Sequence, residues 1–282
     1  MIPSWRHALL AFMILAPGTL RAQQAPFVIH VMKTDGSQAH PLVEVDGYSH
    51  QEAPRWSRDG KQILFDAAAT GSRARELFIV NADGTGLRKL GPGQRADWSP
   101  DGKQIACDDG GEVFVQNLDG QGRVKVTTGL SPRWSPDGSQ IAVVENEMLY
   151  VVDVVSDERR ALFSEPFTLL YEGVCWSPDG KNIALVCHPA QGPRRQLLIV
   201  NSRGAEHGVR ARLQTAGGMS STPCYSPDGK RLAYSAAYLI MIAEVEGTER
   251  PRMIPEQRGR NFEPDWSPDG QWIVFTSNRA PK

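Results

Sequence analysis

The chain has 282 residues, 40% of them hydrophobic and 22% charged, with 31 basic and 32 acidic side chains giving a formal net charge of −1. That length can bury a large core, and length alone admits one or two domains. The charge is nearly balanced and no basic block rises above a local arginine pair, which excludes an electrostatic nucleic-acid-binding surface.

Residues 1–22 stand apart from the rest. Arg6 and His7 precede the apolar run from Ala8 to Ala16, and Pro17-Gly18 and a small residue, Ala22, follow it. The pattern predicts a secretory signal peptide over 1–22, too short to anchor the chain in a bilayer. The mature chain is then 23–282, periplasmic or secreted, with no membrane span. No cysteine follows the apolar run, so no lipoprotein is expected.

The first predicted strand is Phe27–Met32, ended by a turn at Asp35-Gly36. Kindred segments follow at Leu77, Val113, Leu149, Leu197 and Leu239, several of them ending in Asp-Gly, a strong hairpin signal. A second hairpin type interleaves with these. Its turn is a hexapeptide, Trp56-Ser-Arg-Asp-Gly-Lys61, repeated from Trp98, Trp134, Trp176, Tyr225 and Trp266 with Pro in place of Arg58. The steps between the aromatic residues are 42, 36, 42, 49 and 41 residues. A period near forty with turn chemistry at a fixed phase is the signature of β-propeller blades. Pro pre-sets φ for a type I turn, Ser and Asp bond nearby backbone N–H groups, and Gly takes the φ > 0 position. The six aspartates are therefore read as turn formers, not as metal ligands.

The first outer hairpin precedes every inner one, and the last inner hairpin, 261–277, has no outer partner after it. The economical arrangement pairs the chain's two ends. It predicts an all-β fold, a six-bladed propeller over 23–282, whose last blade joins Asn261–Ser277 to Pro26–Glu44. The other blades run Glu52–Gly91, Gln94–Thr128, Leu130–Phe163, Tyr171–Leu213 and Ser220–Ile254. Closure removes open sheet edges. A last blade completed in this way also argues against an essential missing domain downstream. The two turn families fall on one face, and connections of irregular length (45–51, 66–75, 164–170, 187–195, 214–219, 255–260) on the other.

The position before each aromatic carries Arg55, Asp97, Arg133, Cys175, Cys224 and Asp265 around the ring. This alternating arc has two readings: interblade salt bridges that fix registry, or a charged channel mouth that recognises a polar peptide or small ligand. Cys175 and Cys224 share that phase, either as buried free thiols or as a bridge. His50 and His188 fall on the loop face in different blades, which is too few for a usual metal-ligand set.

The six W-S-P-D-G-K copies, each followed by an Ile-Ala-like strand, resemble the TolB-type six-bladed propeller repeat over about residues 26–282. The resemblance implies a periplasmic protein-binding scaffold. In the Tol–Pal envelope system the TolB propeller binds the peptidoglycan-associated lipoprotein, so the implied partner is an envelope protein or peptide of the Pal kind. TolB also carries an α/β domain ahead of its propeller, with no counterpart in these residues. Fold alone does not fix function. No G-x-S-x-G elbow of a serine hydrolase occurs, and no catalytic residue, metal or cofactor is expected. A monomeric binding scaffold is the expectation, with Tyr48, His50, Glu52, Arg55, Arg95, Asp97, Arg133, Tyr171, Glu172, Arg260, Glu263 and Asp265 as candidate partner-binding residues at the channel mouth and loop face. The alternative is a channel enzyme, a metal-assisted lyase or hydrolase acting on carbohydrate, which needs His50, His188 and acidic neighbours to converge.

Overall fold

The hexapeptide turns behave as their chemistry requires. In the first, the Gly60 N–H donates to the Ser57 carbonyl at 2.9 Å, and Gly60 has φ of 71°. Ser57 Oγ donates to Asp59 Oδ1 at 2.7 Å and accepts from the Gln62 N–H at 2.9 Å. The same set recurs around Asp101, Asp137, Asp179, Asp228 and Asp269. In each, the serine hydroxyl and then a backbone N–H hold the carboxyl below its usual range. These aspartates serve the backbone.

The computed structural model of the chain describes residues 25–163, 168–188, 196–204, 209–214, 222–247 and 249–279. The expected signal peptide lies outside them. In chain order the strands are β1 (Val28–Lys33) and β2 (His40–Val43), then β3 (Tyr48–Trp56), β4 (Gln62–Ala69), β5 (Arg75–Asn81) and β6 (Arg88–Pro92). The next blade holds β7 (Gln94–Trp98), β8 (Gln104–Asp109), β9 (Glu112–Asn117) and β10 (Val124–Thr128). After it come β11 (Leu130–Trp134), β12 (Gln140–Glu145), β13 (Met148–Asp153) and β14 (Arg159–Ala161). The fourth set is β15 (Thr168–Trp176), β16 (Asn182–His188), β17 (Gln196–Asn201) and β18 (Val209–Gln214). The chain finishes with β19 (Cys224–Tyr225), β20 (Arg231–Ala236), β21 (Leu239–Glu244), β22 (Arg252–Met253), β23 (Asn261–Trp266) and β24 (Trp272–Ser277).

These form six four-stranded antiparallel sheets, the blades of a propeller. Five use consecutive strands. The sixth has the order β2-β1-β24-β23, with Val28 opposite Ser277 through to Lys33 opposite Trp272. The ring is therefore clasped by its own two ends, as the hairpin count requires. The clasp is packed on both sides. Ile29, Val31 and Val274 share a cluster with Ile63, Phe65 and Phe78 of the first blade. Met32, Trp266, Ile273 and Phe275 share another with Cys224, Ala233, Ile240 and Ile242 of the fifth.

Outer turns bond to inner turns of the same blade: Ala82 N–H to the Lys61 carbonyl at 2.8 Å, Val154 to Ser139 at 3.0 Å, Thr34 to Gln271 at 3.0 Å. Both turn families thus lie on one face. Gly36 shows how close neighbouring blades come, since a Cβ there would sit 2.4 Å from the Pro255 carbonyl oxygen, and its φ is 87°.

Several boundaries differ from expectation. β3 and β15 each begin several residues early, because their inner strands bulge and run on towards the loop face.

Candidate functional site

The inner strands carry a bulge at one phase. Register shifts occur between Glu52 and Arg55, Gln94 and Asp97, Leu130 and Arg133, and Phe262 and Asp265. The bulged residues Ala53, Arg95, Ser131 and Glu263 have φ near +50°. A bulge frees one backbone N–H from the ladder, and here a carboxylate in the preceding blade takes it. Ala53 N–H donates to Glu263 Oε2 at 2.7 Å, Arg95 to Asp66 Oδ2 at 2.6 Å, and Ser131 to Asp108 Oδ2 at 2.8 Å.

Three residues on, a second tier repeats the device. The Trp56 N–H donates to Asp265 Oδ2 and the Trp134 N–H to Asp97 Oδ2, both at 2.8 Å. Tyr225 and Trp266 donate to the sulfurs of Cys175 and Cys224 at 3.3 Å. Where the preceding blade offers Arg, which cannot accept, the indole turns inward instead. Trp98 Nε1 donates to the Arg55 carbonyl at 3.1 Å, and Trp176 Nε1 to that of Arg133 at 3.0 Å.

This corrects the salt-bridge reading of the arc. The acids hold backbone N–H groups of the next blade, and none of Arg55, Asp97, Arg133 and Asp265 pairs with another within 4 Å. At Arg55 burial opposes the charge, yet Asp265, Cys224 and Asp97 outweigh it and raise the pKa. Burial and the neighbouring Arg55 pull Arg133 down to about 10. Burial raises Asp265 against the pull of Arg55. All four cysteines are free thiols. The neighbouring Cys224 lowers Cys175, while burial pushes the Cys224 thiol itself well up.

The polar ring separates two axial cavities. One, about 370 Å³, opens on the turn face. Its rim is Arg58 with Pro100, Pro136, Pro178, Pro227 and Pro268. Its wall is the aromatic ring, and its floor is Arg55, Asp97, Arg133, Cys175, Cys224 and Asp265. The other, about 210 Å³, lies towards the loop face and is lined by Glu52, Asp66, Arg75, Arg95, Arg133, Glu263 and others. There Arg95 grips Asp108 with two bonds of 2.6 and 2.8 Å, and Arg75 bonds Asp66 and meets Glu52 at 3.0 Å. The larger opening is thus on the side of the repeated turns, not among the irregular loops.

Residues 173–282 match the family model described as the TolB beta propeller domain. The ring superposes on the crystal structure of TolB from Acinetobacter baumannii with a TM-score of 0.67 at 19% identity, covering 86% of this chain and 66% of that one. A TolB-assigned structure from Agrobacterium tumefaciens gives 0.70 at 19% identity, covering 90% and 99%. The whole chain shares the six-bladed propeller fold of these structures, and its residues 173–282 carry the TolB propeller pattern.

Among curated relatives, an uncharacterised protein of Agrobacterium fabrum is 32% identical over 109 residues, 37% of this chain and 35% of that protein. YuxL, an uncharacterised peptidase of Bacillus subtilis, is 27% identical over 130 residues, 46% of this chain and 18% of its own length. The matched segments span about a third or less of these relatives.

The ring gathers some candidate residues and disperses others. Arg55, Asp97, Arg133 and Asp265 meet at the axis, and Glu52, Arg95 and Glu263 line the loop-side cavity. Tyr48, His50 and Arg260 line neither. Tyr48 bonds Glu76 and packs edge-on against Phe78, His50 stacks on Phe27 at 6.0 Å, and Arg260 lies over Tyr238 at 4.9 Å. Tyr171 and Glu172 belong to β15, but their side chains, like that of His188, lie outside the described set. Among the described residues no three His, Cys, Asp or Glu side chains group as metal ligands. The sequence reading missed Arg58, whose Nη2 reaches across the funnel mouth, past the second blade, to the Pro136 carbonyl at 3.3 Å. Its signal was visible: it is the one turn without proline.

Proposed function

We propose that the mature chain, 23–282, is an exported TolB-type propeller that acts as a protein-binding scaffold in the cell envelope, a monomer with no chemistry of its own. One observation carries this reading. The acids nearest the axis, Asp97, Asp265, Asp66 and Asp108, are committed to backbone N–H groups of neighbouring blades. Such carboxylates hold geometry and are poorly free to exchange protons with a substrate. What remains is a rigid ring with two charged axial mouths, a scaffold suited to recognition. The signal-like segment supports export, and the likeness to TolB supports an envelope protein or peptide, a Pal-like lipoprotein among them, as partner. Affinity capture from envelope extract with the mature chain tests this. A stoichiometric protein partner released by substitutions at Arg133 or Arg95 is the expected result. Capture unaffected by both, or none from any envelope fraction, would overturn it.

A further inference from the structure

The funnel on the turn face carries three arginines and too few acceptors for them. Arg55 and Arg133, at its floor, are 5% and 6% exposed. Arg55 Nη1 donates to the Pro54 carbonyl at 2.8 Å. Arg133 Nη1 donates to the carbonyls of Pro132 at 2.7 Å and Arg95 at 3.0 Å. Neither has a carboxylate within ion-pair distance, because Asp97 and Asp265 each turn an oxygen to a tryptophan N–H, and the other oxygen of Asp265 takes the Cys224 thiol at 3.0 Å. The Nε and Nη2 groups of both guanidiniums therefore meet no protein acceptor among the described residues. A buried charge lacking its hydrogen-bonded counter-ion is costly. A ligand that supplies one is correspondingly favoured.

We propose that this funnel binds the C-terminal carboxylate of a peptide, gripped at the floor by Arg55 and Arg133, with Arg58 over the chain at the mouth. A carboxylate is planar and matches the guanidinium fork. Asp97 and Asp265 balance the two floor arginines, so a single added negative charge is tolerated. A phosphate dianion would crowd two carboxylates. The walls favour a chain end over a bare ion. Trp56, Trp98, Trp134, Trp176 and Trp266 offer flat apolar faces below the proline rim, and about 370 Å³ is at the small end of ligand pockets. Such a volume takes a peptide tip, not a folded surface. The rim also departs from symmetry where Arg58 stands. Elsewhere each proline lies 3.5–3.8 Å from where a Cβ on the next blade's turn glycine would be, whereas Gly102, beside Arg58, has nothing within 4 Å. Exchange of a rim proline for arginine opens a notch and adds a cation to the mouth. The inference rests on the scaffold reading only for the protein source of the carboxylate.

The test is a titration of the purified chain followed by indole fluorescence, since five tryptophans line the wall. The probes are N-acetyl-Ala-Ala-Ala with a free carboxylate, the same peptide as its C-terminal amide, and sodium acetate. The free acid is expected to saturate and to bind at least tenfold tighter than the amide or acetate. Arg133→Gln and Arg55→Gln should each weaken the acid at least tenfold and leave the amide unchanged. Arg58→Pro, which restores the residue of the other five turns, should weaken it several-fold with the fold intact. That variant keeps the proposal testable if a floor variant fails to fold, which thermal unfolding reports. Equal binding of acid and amide, no saturation at millimolar acid, or acetate binding as tightly as the tripeptide would overturn the assignment. The probes are defined molecules, so failure here leaves the envelope-capture result standing, and failed capture leaves the titration standing.

Discussion

His30 sits in the clasp, and its protonation should loosen the ring. It lies on β1, is 1% exposed, packs on Phe275 of β24 at 5.7 Å between ring centroids, and has Nδ1 3.2 Å from the Val28 carbonyl. Burial lowers its pKa from 6.5 to about 4, partly opposed by that carbonyl and assisted by Arg279 and His40. The folded chain thus binds fewer protons than the unfolded one between pH 4 and 6.5, so stability rises with pH across that window. The contribution is intact above 6.5 and is lost progressively as pH falls towards 4. The full drop corresponds to about 3 kcal/mol. Other groups titrate in the same range, so the assay is a difference: urea unfolding of wild type and His30→Gln at pH 7.5, 5.5 and 4.5. At pH 7.5 the variant should be the less stable, through lost packing. By pH 4.5 that deficit should shrink or reverse, with about 2–3 kcal/mol of relative change. Parallel pH dependences of the two proteins would refute a neutral buried histidine at the seam.

Arg58→Pro should raise stability, because it fixes φ where the other five turns already have proline and fills the space beside Gly102. The expected gain is about 0.4–1 kcal/mol, on the order of 1–4 °C in melting temperature, measured by calorimetry. Trp98→Phe and Trp134→Phe remove the same volume, but only Trp98 has a bonded indole N–H, whereas Trp134 Nε1 is buried without a partner. Denaturant unfolding should show Trp98→Phe costing about 1 kcal/mol more. Equal costs would contradict the alternation of acceptor and indole around the ring.

The fold was legible because its repeated turn encodes geometry locally. Ser57, Asp59 and Gly60 act on atoms within five residues, so their spacing carries the message intact. Closure was legible too, because an unpaired outer hairpin at Phe27 and an unpaired inner one at Trp266 have each other as the economical solution. The composition of the polar ring could be read at one phase, but not its bonding. Whether Asp97 meets Arg133 or the Trp134 N–H depends on the spacing between adjacent inner strands and on the bulge at Ser131. Both are properties of the assembled ring. For the same reason the sequence did not say on which face the larger cavity opens. Nor did it show that Asp66 and Asp108, on second strands, reach across to cap the bulges of the next blade. Arg58 stood out as an exception, yet its reach to Pro136 crosses a whole blade and has no local trace.

Two-sided charge at the axis and acids committed to the backbone together suit this ring to recognition, and both need the blades held at fixed spacing. That spacing depends on the seam between β1 and β24. Amide hydrogen exchange followed by mass spectrometry measures it directly. Residues 28–33 should exchange as slowly as 272–277, the two segments opening together on mild urea. Exchange of 28–33 within seconds while 272–277 stays protected would mean that the first strand does not close the last blade.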